Sequence, residues 1–146
     1  MKAYILVLIA ISLHCFAVSS DDNFDEVINN YNEYIENAKK VCVDKSGAST
    51  ELVEKLIYKG DFVENIPLKQ FLLCIYTELG IVDENGTIDG NKMISFIGTD
   101  DTEINKAVYE KCSNLNAESI MEKMWLVGKC TYNTVKSLIS RVIENI

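Results

Sequence analysis

The side chains best suited to chemistry in this chain of 146 residues are five cysteines and a single histidine, and their placement decides what they can do. Cys42, Cys74, Cys112 and Cys130 are widely separated with no C-x-x-C pair, so neither zinc-ligand spacing nor a thiol–disulfide redox motif is present. Cys15 and His14 lie within an N-terminal apolar run. Lys2, the apolar residues 3–18, the small pair Ser19-Ser20 and the abrupt Asp21-Asp22 have the form of a secretory signal peptide cleaved near Ser19 or Ser20. At roughly 16 apolar residues, interrupted by Ser12 and His14, the run is short of the ~20 needed to span a bilayer. The expected organisation is a signal peptide over residues 1–20 and one domain over 21–146.

Cleavage removes Lys2, His14 and Cys15 and leaves no histidine and four cysteines. Without imidazole there is no Ser-His-Asp or Cys-His base, no histidine zinc ligand and no group that switches charge near neutrality. The expectation is a non-enzyme with no metal and no cofactor, and a lipase-like rival fails on the same point. An even set of four cysteines in a secreted chain reads as two disulfides, with three pairings open.

The remaining chemical candidates are weaker. Residues 83–89, Asp-Glu-Asn-Gly-Thr-Ile-Asp, resemble the start of a calcium loop, but counting from Asp83 the glycine is fourth and the twelfth residue is Ile94, where the loop needs glycine sixth and glutamate twelfth. Asn85-Gly86-Thr87 is a glycosylation sequon, which permits attachment without showing it. The formal charge of −8 argues against nucleic acid and anionic membrane surfaces, both of which need clustered Lys and Arg. Arg141 is the only arginine, so no phosphate clamp is formed. Tyr31, Tyr34, Tyr58, Tyr76, Tyr109 and Tyr132 can each offer a hydroxyl to a ligand, or to the backbone.

The elements that must position these residues are helical. With one proline and seven glycines, turn residues are too few for a many-stranded protein. Phe24, Val27, Ile28, Tyr31, Ile35, Ala38 and Val41 recur at helical spacing, with acids at the start and Lys39-Lys40 at the end. A second helix follows Ser49-Thr50, with Leu52, Val53, Leu56 and Ile57 inward and Gly60 as its stop. Pro67 suits the first turn of a third, carrying Leu68, Phe71, Leu72, Ile75, Tyr76 and Leu79. After the polar loop 83–90, a short helix carries Met93, Ile94 and Ile97. Asp100-x-x-Glu103 predicts the cap of a fifth, with Ile104, Ala107, Val108 and Cys112 on one side. Asn116 is the expected cap of a sixth through Cys130, and Tyr132, Val135, Leu138, Ile139, Val142 and Ile143 form a last amphipathic segment. The expected fold class is all-α, a bundle of six to seven short helices. Met93, Met121 and Met124 with Phe62, Phe71, Phe96 and Trp125 fit an ordinary core or a permissive cavity.

Three stretches carry a family resemblance. They are Tyr58-Lys59-Gly60-Asp61-Phe62 through Pro67-Leu68-Lys69 to Cys74; Leu79-Gly80-Ile81-Val82-Asp83 through Gly86, Ile88 and Asp89; and Cys112 with Cys130 around Trp125. Together they resemble the insect odorant-binding proteins, the pheromone and general odorant-binding family, over essentially the whole mature chain. That family has six cysteines, with C-x-x-x-C in the third helix and an end close to C-x8-C-x8-C. Here Gln70 and Met121 occupy the two places that would hold one bridge, as in the reduced-cysteine Minus-C subgroup.

The resemblance implies the pairs Cys42–Cys74 and Cys112–Cys130, tying first helix to third and fifth to sixth around an apolar cavity. It implies a secreted, extracellular carrier of small hydrophobic ligands such as odorants or pheromone-like volatiles, a monomer or weak homodimer, with a chemosensory receptor as a further partner and no stable membrane insertion. Because the third to sixth helices converge on the cavity in this family, the expected ligand-binding residues are Phe71, Ile75, Met93, Ile97, Val108, Met121, Met124 and Trp125. Any acid-triggered release would have to rest on carboxylates. The rival reading is a secreted helical interaction protein with a filled core.

Overall fold

Six helices account for about three quarters of the described residues, 20–145, in the computed structural model, with side chains described from Asn23. The signal peptide expected over residues 1–20 lies, but for Ser20, outside the described residues. The helices are α1 (Ser20–Ser46), α2 (Thr50–Lys59), α3 (Ile66–Glu78), α4 (Gly90–Ile97), α5 (Thr102–Cys112) and α6 (Ile120–Glu144). Among the described residues there is no strand, only an isolated antiparallel bridge, Val82 to Ile88, closing the loop before α4. No described helix is long and apolar enough to cross a membrane.

Local chemistry sets most boundaries. Ser49 caps α2 by accepting from the Leu52 N–H, and Gly60 ends it in the left-handed region at φ 62°. Asn65 caps α3 through the Leu68 N–H at 2.9 Å, with Pro67 in the first turn, where its missing N–H costs nothing. Asp89 does the same for α4.

Three expectations change. The cap of α5 is Asp101 and not Asp100: its carboxylate accepts from the N–H groups of Glu103 and Ile104 at 2.9 and 3.2 Å. The register is fixed by a tertiary lock in which Thr99 donates to Asn105 Oδ1 and Asn105 Nδ2 donates back to the Thr99 carbonyl. The cap of the next helix is Ser119 and not Asn116, because Ser119 and Glu122 have the capping-box spacing and the Glu122 N–H donates to Ser119 Oγ. The separate last segment is the second half of the same 25-residue helix, since nothing between Cys130 and Tyr132 breaks it.

Helix α1 packs on α3, α6 and α2; α3 packs on α6, and α5 on α6 and α4. The bonds Cys42–Cys74 and Cys112–Cys130 tie α1 to α3 and α5 to α6. Burial follows the predicted stripes with three exceptions: Val41 is exposed because the fully buried Cys42 takes the inward place beside it, Ala107 faces solvent while Asn105 is buried in the Thr99 lock, and Val142 in the last turns of α6 is exposed.

Candidate functional site

Two helical faces with the same spacing line an apolar cavity. From α1 come Phe24, Val27, Ile28 and Tyr31, and from α6 come Gly128, Thr131, Tyr132 and Val135. Residues at i, i+3, i+4 and i+7 share one helix face, so each set is a single wall. Leu56 and Ile57 of α2, Phe71, Leu72 and Tyr76 of α3, and Phe96 and Ile97 of α4 complete it, with Phe62 entering from the segment between α2 and α3. The cavity measures about 80 Å3. Aromatic edges hold it in shape: Phe24 meets Tyr132 at 5.2 Å between centroids, Tyr31 meets Phe96 at 5.0 Å, and Tyr76 meets Phe96 at 5.2 Å.

A larger groove of about 270 Å3 lies between α1, the α4–α5 loop and the end of α6, but it is rimmed by Glu26, Asp100 and Asp101. Such a rim keeps water in place, so the cavity with the apolar lining is the better candidate for withdrawing a hydrophobic molecule from solvent.

Of the eight residues expected at the site, Phe71 and Ile97 stand on the cavity wall. Ile75, Met93, Val108 and Met124 are fully buried in the packed interior away from it, and Met121 is half-buried off the wall. Trp125 stands one layer behind, its ring 5.0 Å from that of Phe62. The shift has a physical cause. Because α6 is continuous, its second half brings Thr131, Tyr132 and Val135 to the cavity, whereas α5 packs on α6 through Cys112–Cys130 and contributes no wall residue. The clearest signal in the sequence was Gly128: a glycine inside a helix costs ~1 kcal/mol against alanine and marks a close approach. A Cβ there would lie 2.6 Å from Leu72 Cδ2. Tyr31, Tyr76 and Tyr132 put their rings on the wall, while Tyr34 and Tyr58 are exposed.

The wall carries no charged side chain. Burial pushes the hydroxyls of Tyr31 and Tyr76 far above the ordinary tyrosine value, and burial followed by the neighbouring Asp25 carboxylate raises Tyr132. All three are neutral donors at any physiological pH. The cavity therefore offers apolar surface and a few neutral hydroxyls.

Phe62 is held over the cavity from two sides. Gly60 lies so close to the Tyr132 ring that a Cβ would stand 2.1 Å from its Cε1, and its φ is 62°. Gly60→Ala is expected to lower stability by at least about 1–2 kcal/mol from the left-handed backbone alone, and to push Tyr132 off the wall; urea unfolding with near-ultraviolet circular dichroism measures both effects. Behind Phe62, the half-exposed turn is clamped by Lys69, which pairs with Glu64 and with Glu122 at 2.8 Å and sits 5.8 Å from the Trp125 ring centroid. Trp125 Nε1 donates to Glu64 Oε1 at 3.1 Å.

Hydrogen bonds from Lys69, then from Trp125, hold the Glu64 carboxyl below its ordinary 4.5, and hydrogen bonds to Glu122, then Glu64, hold Lys69 above its ordinary 10.5. A lowered carboxylate stabilises the fold above its unfolded pKa and loses that contribution as pH falls through the lowered value; a raised lysine does so below its unfolded pKa and loses it as pH rises through the raised one. The clamp is thus intact throughout the range between. Fluorescence of Trp125, the sole tryptophan, is expected to be flat from about pH 5 to pH 9 and to change only below about pH 4; a transition between pH 7 and pH 5 would contradict this.

A family model described as the PBP/GOBP family matches residues 25–134. Two proteins of Tenebrio molitor are similar to the chain. The B2 protein is 39% identical over 92 residues, covering 61% of this chain and 70% of that protein. The B1 protein is 33% identical over 101 residues, covering 67% and 75%. No solved structure matches.

Proposed function

Since the chain belongs to the PBP/GOBP family, we propose that it is a secreted, non-enzymatic carrier that takes small hydrophobic molecules, odorants or pheromone-like volatiles among them, into the cavity between α1, α3 and α6. The observation that carries this reading is a cavity between helices walled almost wholly by apolar and aromatic side chains. Removing apolar ligand surface from water supplies the affinity, at about 25 cal/mol per Å2. At about 80 Å3 the cavity is small. Occupants are compact volatiles, or Phe62 and its segment yield to admit longer ones; Phe62 is anchored by ring contacts and the Lys69 clamp and not by a backbone ladder.

The signal-peptide pattern of residues 1–20 in the sequence supports export, and the two disulfides suit an oxidising compartment. Gln70 and Met121, at the places of an absent third bridge, flank Lys69 and Glu122, so an ion pair joins α3 to α6 where a covalent tie would stand. This supports the Minus-C assignment. A weak dimer and delivery to a chemosensory receptor are consistent with the carrier reading.

The test is displacement of a naphthylamine fluorescent probe from the oxidised mature protein by alcohols, esters, terpenes and fatty acids. Saturable, selective displacement at micromolar concentrations is expected. A folded protein that takes up no probe overturns the carrier and favours a helical interaction protein.

A further inference from the structure

Resting on the carrier reading, we infer that Thr131 is the residue by which the cavity selects its ligand: its hydroxyl hydrogen-bonds the single polar group of a neutral ligand, an alcohol or carbonyl compound, and ranks such molecules above hydrocarbons of the same shape.

Thr131 is 8% exposed and belongs to the cavity wall. Its Oγ1 is buried with no hydrogen-bond partner among the described residues. Other hydroxyls in the helices show what is normal here. Thr77 donates to the Leu73 carbonyl and Ser140 to the Lys136 carbonyl, each one turn back, and Thr134 lies 3.8 Å from the sulfurs of Cys112 and Cys130. Thr131 makes no such bond. A buried hydroxyl without a partner is unfavourable, and that penalty is relieved when a ligand brings a donor or acceptor to it.

The surroundings make Thr131 decisive. Gly128, one turn earlier on the same face, has no side chain of its own, and Leu72 packs into the space a Cβ would take. The Tyr76 hydroxyl lies 3.5 Å from where a Gly128 Cβ would stand, so a second neutral hydroxyl borders the same place. With no charged side chain on the wall, nothing favours an ionised ligand. A polar group that enters here meets neutral hydroxyls, and a hydrocarbon leaves Thr131 unpaired.

The test compares n-hexanol with n-heptane, which have equal numbers of heavy atoms, as displacers of the naphthylamine probe from wild type, Thr131→Val and Thr131→Ser. Wild type and Thr131→Ser should prefer the alcohol. Thr131→Val should lose about fivefold to tenfold in alcohol affinity, the scale of one hydrogen bond, with heptane affinity unchanged. The unliganded Thr131→Val protein should also unfold at a higher urea concentration than wild type, because a methyl replaces an unpaired hydroxyl. If Thr131→Val keeps the preference, or both displacers weaken equally, the role of Thr131 is overturned while the carrier stands. If folded wild type takes up no probe, the carrier reading fails and this inference with it.

Discussion

Replacing Cys42 and Cys74 together by alanine is expected to lower the free energy of unfolding by about 4 kcal/mol, on the chain-entropy account of cross-linking. The bond spans 32 residues, against 18 for Cys112–Cys130, whose removal should cost about 3 kcal/mol, because the entropy of a closed loop grows only with the logarithm of its length. The longer bridge matters more to function than this small difference suggests. It ties α1 to α3, and α1 carries Phe24, Val27, Ile28 and Tyr31 of the cavity wall. Losing it frees one wall, whereas losing Cys112–Cys130 loosens α5, which contributes none. Urea midpoints of the two double variants, with probe uptake at equal fraction folded, separate these effects. Equal loss of uptake in both would show that α1 is held by packing alone.

Phe71→Ala is expected to cost about 3–5 kcal/mol, the range for truncating a buried phenylalanine. Phe71 is 1% exposed and stands on the wall, so its removal also enlarges the cavity. Affinity should shift from compact ligands toward bulkier ones. Ile75→Ala is the control: it is fully buried one turn along α3 but off the wall, and its loss, about 2–5 kcal/mol, should leave the order of ligand preference unchanged. Thermal unfolding and probe displacement by a size-graded ester series measure the two together. A changed order in Ile75→Ala, or an unchanged one in Phe71→Ala, would place the binding region elsewhere.

The contrast between Phe71 and Ile75 shows why the cavity wall was only partly legible. Both fall on the apolar stripe of α3, and periodicity says that each is inside. It does not say which faces a void and which faces another side chain, because that depends on helices distant in the chain. The same holds for the α1 stripe, whose spacing identified a helix face while its role as a cavity wall came from the approach of α6.

The sequence by itself determined the all-helical class, the caps at Ser49 and Gly60 and the first turn at Pro67, while its four cysteines left three pairings open and only the family resemblance implied the two disulfides that form. The helical class, caps and turn depend on residues a few positions apart. Only the tertiary structure decided that α6 runs unbroken and that Gly128, Thr131, Tyr132 and Val135 face α1 across the cavity. Those outcomes depend on how helices cross, and a crossing is set by the summed packing of side chains far apart in sequence, which no local pattern encodes.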